Sequence, residues 1–133
     1  METARPSGPP RILLVDDEPP LLKMMHVYLR RLGYSVTTAA STEQASALAA
    51  QESFAVVVID GTMEGLSLEE LAGRILDGNP AARVLAASGY PVDMGALETA
   101  APGRVGFLHK PFTPEMLAAA VRRMLGAEEE KEV

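Results

Sequence analysis

The stretch Phe54 to Gly65, FAVVVIDGTMEG, decides how this chain folds. Five apolar residues in succession, Ala55 to Ile59, predict a strand buried on both faces, as in the middle of a parallel sheet. The run stops at Asp60, followed by Gly61 and Thr62. Open α/β sheets carry their chemistry at the carboxyl ends of central strands, which makes Asp60 a candidate functional residue. Asp-Gly is also a common turn former, so Asp60 can be read as a strand-end cap. Alone, the stretch favours the turn; the rest of the chain reverses that preference.

Outward from this strand, apolar segments alternate with helical patterns. On the amino-terminal side, Arg11–Val15 (RILLV) is a short buried strand that runs into Asp16-Asp17-Glu18. Pro19 and Pro20 suit the first turn of a helix, whose stripe is Leu21, Leu22, Met25, Tyr28, Leu29 and Leu32, with Gly33 as the stop. Tyr34–Ala39 reads as a second strand, and Ser41 with Gln44 as a capping box opening a helix through Ala45, Leu48 and Ala49. On the carboxyl-terminal side, Ser67 with Glu70 is a second capping box, before a stripe of Leu68, Leu71, Ala72 and Ile75. Arg83–Ala87 predicts a fourth strand delivering Ser88-Gly89-Tyr90, and Met94–Ala101 a weak helix. Arg104–Leu108 predicts a fifth strand closed by His109-Lys110-Pro111. Thr113 caps a last helix with Pro114 at its first position and Leu117, Val121, Met124 and Leu125 facing in.

Composition confines these elements to one domain. A chain of 133 residues, 47% hydrophobic and 23% charged, is ordinary for a single globular core. The expected division is an extended or disordered segment at 1–10, the domain at 11–126 and an acidic tail at 127–133. There is no apolar run of membrane-spanning length and no basic leader, so membrane insertion is not expected. Without cysteine, disulfides and thiolate metal sites are excluded, which fits a cytoplasmic protein. A net charge of −6 argues against a direct nucleic-acid partner.

Five strands alternating with five helices predict an α/β, doubly wound, five-stranded parallel sheet with helices on both faces. The flavodoxin-like order 2-1-3-4-5 is the simplest arrangement, a (βα)5 three-layer sandwich. It makes strands one and three neighbours, so Asp16, Asp17 and Asp60 meet at one edge, with Ser88 and Lys110 on the adjoining strands. Three converging carboxylates repel one another and call for a cation. A hard divalent ion such as Mg²⁺, held by carboxylates and water, fits that role. Lys110 adds a second positive point and Ser88 a hydroxyl donor. A carboxylate nucleophile, a divalent ion, a lysine and a hydroxyl are the parts needed to take up a phosphoryl group.

From Arg11 to about Leu125 the chain resembles a receiver domain of two-component response regulators. The resemblance rests on the acidic pair Asp16-Asp17, on Asp60, on Ser88, on Lys110-Pro111 and on Phe107, three residues before the lysine. It implies that Asp60 accepts a phosphoryl group from a phosphohistidine of a histidine kinase or histidine phosphotransfer protein. It further implies Mg²⁺ bound by Asp17, Asp60 and the backbone carbonyl of Thr62, with Asp16 acting mostly through water. Ser88 and Lys110 would contact the phosphoryl oxygens, and Ser88 with Phe107 would switch a face read by a downstream protein partner. A cis Lys110-Pro111 peptide bond is expected on the same ground. Such a domain is not an enzyme in the ordinary sense, although slow self-catalysed phosphotransfer and dephosphorylation are expected.

Three positions depart from the family pattern: Glu64 stands where proline is common, Leu68 where glycine is usual, and Gly61 where a bulky apolar residue is usual. None is a reacting group. Two other readings compete. A pseudo-receiver, an unphosphorylated interaction module, would keep the fold, yet every reacting group is present. The Asp-Gly-Thr run is also similar to a haloacid dehalogenase-like phosphatase motif, whose nucleophile would fall on Val58, which cannot attack. Among the histidines, His26 is expected to pack or face solvent, and His109 to end a strand in solvent. A stand-alone receiver, a relay component and a receiver excised from a hybrid kinase all remain open. The Ser88-Gly89-Tyr90 run and short fourth helix are more similar to receivers serving hybrid kinases.

Overall fold

The structure, a computed structural model, describes residues 8–126. In order along the chain the elements are β1 (Arg11–Val15), α1 (Pro19–Arg31), β2 (Ser35–Ala39), α2 (Thr42–Gln51) and β3 (Val56–Asp60). There follow α3 (Leu68–Gly78), β4 (Arg83–Ser88), α4 (Gly95–Ala100), β5 (Val105–His109) and α5 (Pro114–Leu125). All strand pairs are parallel, in the order β2-β1-β3-β4-β5. This is the expected doubly wound sheet. The expected acidic tail at 127–133 and most of the expected disordered segment lie outside the described residues. Pairing begins at Pro10, whose carbonyl accepts from the Ser35 amide at 3.0 Å.

Alternation of side chains along the central strands creates two apolar layers. Leu13, Val15, Val57, Ile59 and Val84 point to one face, against Ala45 of α2, Leu71, Ala72 and Ile75 of α3 and Leu97 of α4. Ile12, Leu14, Val56, Val58, Leu85 and Ala87 point to the other, against Met25 and Leu29 of α1 and Leu117, Ala120 and Val121 of α5. β3 is buried along its whole length, as its unbroken apolar run requires.

Helix ends follow the sequence signals with two differences. Gly33, at φ 102°, closes α1: its amide donates to the Arg30 carbonyl and that of Tyr34 to the Leu29 carbonyl. This pair of bonds is the Schellman arrangement. Leu32, expected in the stripe, is instead the C-cap and 50% exposed, because the helix ends before it. Ser67 and Glu70 form the full reciprocal box. Ser41 accepts from the Gln44 amide, but the Gln44 side chain reaches one residue further back, to the Ala40 amide. α4 is short, with Leu97 its one buried residue.

Three arginines tie down the amino-terminal edge of the sheet. Arg104 donates to the carbonyls of Leu76, Asn79 and Ala82, closing the end of α3. Arg83 donates to those of Met124 and Leu125, closing α5. Arg11 pairs with Glu52 and lies over the Phe54 ring, 5.1 Å from its centroid. Positive charge near helix carboxyl ends is stabilising, and a planar guanidinium can serve several carbonyls at once.

Candidate functional site

At the opposite edge, strand pairing extends further than the apolar pattern suggests. Asp60 is the last residue of β3, paired with Ala87, and Ser88 the last of β4, paired with His109. Backbone bonds continue one residue beyond: Asp16 amide to Ala39 carbonyl at 3.1 Å, Gly61 to Ala87 at 2.8 Å, and Lys110 to Ser88 at 2.9 Å. The side chains that matter are therefore presented from backbone fixed by the sheet. Register places Val15 beside Ile59, so Asp16 arrives next to Asp60.

Asp16 and Asp60 are buried while Asp17 is exposed. Each of the three offers a carboxylate oxygen within 4.8 Å of the others. Lys110 reaches over Asp16 and Asp60, its Nζ 3.4 Å from Asp16 Oδ2 and 3.5 Å from Asp60 Oδ2. The Lys110-Pro111 peptide bond is cis. The remaining oxygens are also engaged: Asp16 Oδ1 accepts from the Glu18 amide at 2.9 Å. Asp60 Oδ1 accepts from the Thr62 amide at 3.1 Å and the Thr62 hydroxyl at 3.0 Å. One Asp60 oxygen thus caps the turn and the other faces the lysine.

Burial holds the Asp16 carboxyl above its ordinary pKa range, and the Asp60 charge adds to this, against the Glu18 amide and Lys110. For Lys110, burial alone would lower the pKa. The charges of Asp16, Asp60 and Glu18 outweigh it and raise it. Three carboxylates and one ammonium leave a formal excess of two negative charges. That suits a divalent cation with oxygen ligands. Direct ligands to Mg²⁺ stand no more than about 4.2 Å apart, so a spread of up to 4.8 Å is compatible with a mixture of direct and water-mediated carboxylate contacts.

Ser88 is buried, its Oγ accepting from the Tyr90 amide at 3.0 Å. Phe107 is half-buried, its ring centroid 6.2 Å from that of the exposed His109. Gly61 and Leu68, two departures from the family pattern, are neighbours. A Cβ on Gly61 would lie 3.4 Å from Ser88 Cβ and 3.7 Å from Leu68 Cδ2, so a side chain at 61 would pack against both. Glu64 is exposed and borders a cleft of about 350 Å³ with Asp17, Ser41, Glu43, Met63 and Gly65. The Thr62 hydroxyl was not anticipated; the signal for it was the Asp-x-Thr spacing of an Asx-type turn.

The description "response regulator receiver domain" fits residues 12–122 as a family match. The chain belongs to this family. This receiver is 34% identical over 116 residues to the alginate biosynthesis transcriptional regulatory protein AlgB of Pseudomonas aeruginosa, which spans 86% of the chain and 26% of AlgB. The chain therefore covers about a quarter of that relative's length. Among solved structures it is similar to the chemotaxis protein CheY4 of Vibrio cholerae, at 28% identity and a TM-score of 0.77, over 89% of this chain and 100% of that one. It is also similar to the response regulator TrrA of Thermotoga maritima in complex with Mg²⁺-BeF, at 28% identity and TM-score 0.75, over 87% and 99%. No helix among the described residues is long and apolar enough to cross a membrane.

Proposed function

We propose that this receiver takes a phosphoryl group on Asp60 from a phosphohistidine of a histidine kinase or histidine phosphotransfer protein, and signals by a changed protein-binding face. The observation that carries this is the bridging of buried Asp16 and Asp60 by Lys110 beside the exposed Asp17. In the transfer, an Asp60 carboxylate oxygen forms a bond to phosphorus as the phosphorus–nitrogen bond breaks. The departing imidazole keeps the electron pair and takes a proton. Mg²⁺ held by Asp17, Asp60 and the Thr62 carbonyl, with Asp16 through water, would offset charge on the phosphoryl oxygens.

Within the chain, Lys110 would exchange a carboxylate for a phosphoryl oxygen as its partner. Ser88 would give up the Tyr90 amide to donate its hydroxyl to another oxygen, and Phe107 would move into the space vacated. The same groups would support slow loss of the phosphoryl group to water. Output through a downstream protein suits a net charge of −6. AlgB is by name a transcriptional regulator, so a DNA-binding output is a property to test on a longer protein.

The test is intact-mass measurement after treatment with a small-molecule phosphodonor and Mg²⁺, followed by peptide mapping. One phosphoryl group on Asp60, absent in Asp60→Asn, is the expected result. Undiminished uptake by Asp60→Asn would overturn the assignment, and no uptake by the wild type would make the chain an unphosphorylated interaction module.

A further inference from the structure

The loop from Gly61 to Ser67 carries the Thr62 carbonyl assigned above to the cation, and its front is anchored by the Thr62 bonds to Asp60. Its rear is anchored by the Ser67–Glu70 box. The middle is gripped from another helix altogether. Thr42, the first residue of α2, is buried at 2% exposure, and its Oγ1 accepts from the Leu66 amide at 2.9 Å. The single hydroxyl proton has two acceptors in reach, the Glu64 carbonyl at 3.4 Å and Glu43 Oε1 at 3.2 Å.

Gly65 makes this approach possible. It sits at φ 99°, and a Cβ there would fall 2.3 Å from Thr42 Oγ1 and 2.8 Å from Glu43 Oε2. Both the left-handed backbone and the missing side chain are needed for the loop to close on the threonine. Between the anchored Thr62 and the gripped Glu64 only Met63 intervenes, and it packs against the apolar layer.

We infer that Thr42 is a positioning residue for the cation site: its hydroxyl, with Gly65, clasps the loop so that the Thr62 carbonyl is held for Mg²⁺. This deepens the proposed function and rests on its reading of the acidic site. Thr42 touches neither the ion nor a reacting atom; it acts through the loop backbone. Groups that hold metal ligands in place affect affinity without binding the ion themselves.

The experiment compares Thr42→Val, Thr42→Ser and wild type, with Mg²⁺ alone titrated by calorimetry and Leu66 amide exchange followed by NMR without metal. Valine keeps the shape and removes both hydrogen bonds; serine restores them. Thr42→Val should bind Mg²⁺ about ten-fold more weakly, the lower end of what the loss of a group holding a metal ligand in place costs. Its Leu66 amide should exchange faster, and Thr42→Ser should match the wild type in both. Unchanged Mg²⁺ affinity in Thr42→Val overturns the inference, as does weaker binding without faster Leu66 exchange or an equal loss in Thr42→Ser. If Thr42→Val does not fold, Gly65→Ala opens the clasp from the loop side and is judged by the same two measurements. A wild type that does not bind Mg²⁺ removes the reading of the acidic site, and the inference with it. Wild-type binding with an unaltered Thr42→Val removes the inference alone.

Discussion

Replacing Lys110 by methionine keeps most of the apolar stem and removes the charge that lies between two buried acids. At 3.4 Å and an effective dielectric of about 20, one such ion pair amounts to about 5 kcal/mol before desolvation. The lysine side chain is 18% exposed, so water screens part of that. The loss also has a ceiling, because a carboxylate left alone can take up a proton. From an ordinary value of 3.8, neutralisation at pH 7 costs about 4 kcal/mol. The expected penalty is about 2–4 kcal/mol, in line with breaking a buried pair from one side. For a domain of this size the midpoint should fall by roughly 7–15 °C. Circular dichroism melts in a chelator at pH 7 read this directly. Two accompanying results belong to the same cause: the deficit should shrink towards pH 5 as the stranded Asp16 carboxyl protonates, and Mg²⁺ should recover much of it by supplying the missing charge. An unchanged midpoint, or a deficit that grows on acidification, would refute the electrostatic account of Lys110.

Because the folded pKa of Lys110 lies above its ordinary 10.5, its stabilising contribution is complete below that pH and lost as pH rises through the folded value. The stability gap between wild type and Lys110→Met, from urea unfolding, should therefore narrow above pH 10.5; a constant gap would count against it. Asp16 has the opposite sense: the fold holds its proton more tightly than the unfolded chain, so its contribution worsens as pH rises from 3.8. Metal-free Asp16→Asn should accordingly melt higher than wild type at pH 7, with the advantage gone below pH 3.8, and a lower melt at pH 7 would contradict this. Arg104→Met should cost about 2–3 kcal/mol through three abandoned carbonyls, with only partial recovery in Arg104→Lys. Its phosphoryl uptake should match the wild type at temperatures where it is folded.

Strand order and the converging acids were legible because the signals are local and strong. An unbroken apolar run ending in Asp60, and a second ending in Asp16, leave few ways to arrange five parallel strands. The carboxyl ends of β3, β4 and β5 each extended one residue beyond the apolar pattern, since Asp60, Ser88 and His109 hydrogen-bond through backbone atoms that hydrophobicity does not report. Thr42 and Arg104 were illegible for a related reason. Their partners are main-chain groups 22 to 28 residues away, and any residue type carries those groups. Gln44 shows the limit of a local motif: the spacing placed its side chain near the helix start but not on the right amide. Gly61 and Leu68 looked like independent departures in one dimension, but in three a Cβ at position 61 would touch the Leu68 side chain.

Arg83 and Ser88 stand at the two ends of β4, a strand about 20 Å long. The last carbonyls of α5 hang from the Arg83 guanidinium, so the polypeptide reaches Gly126 from a point fastened to that strand. One strand thus links the fastening of α5 at one edge of the sheet to the serine hydroxyl at the other.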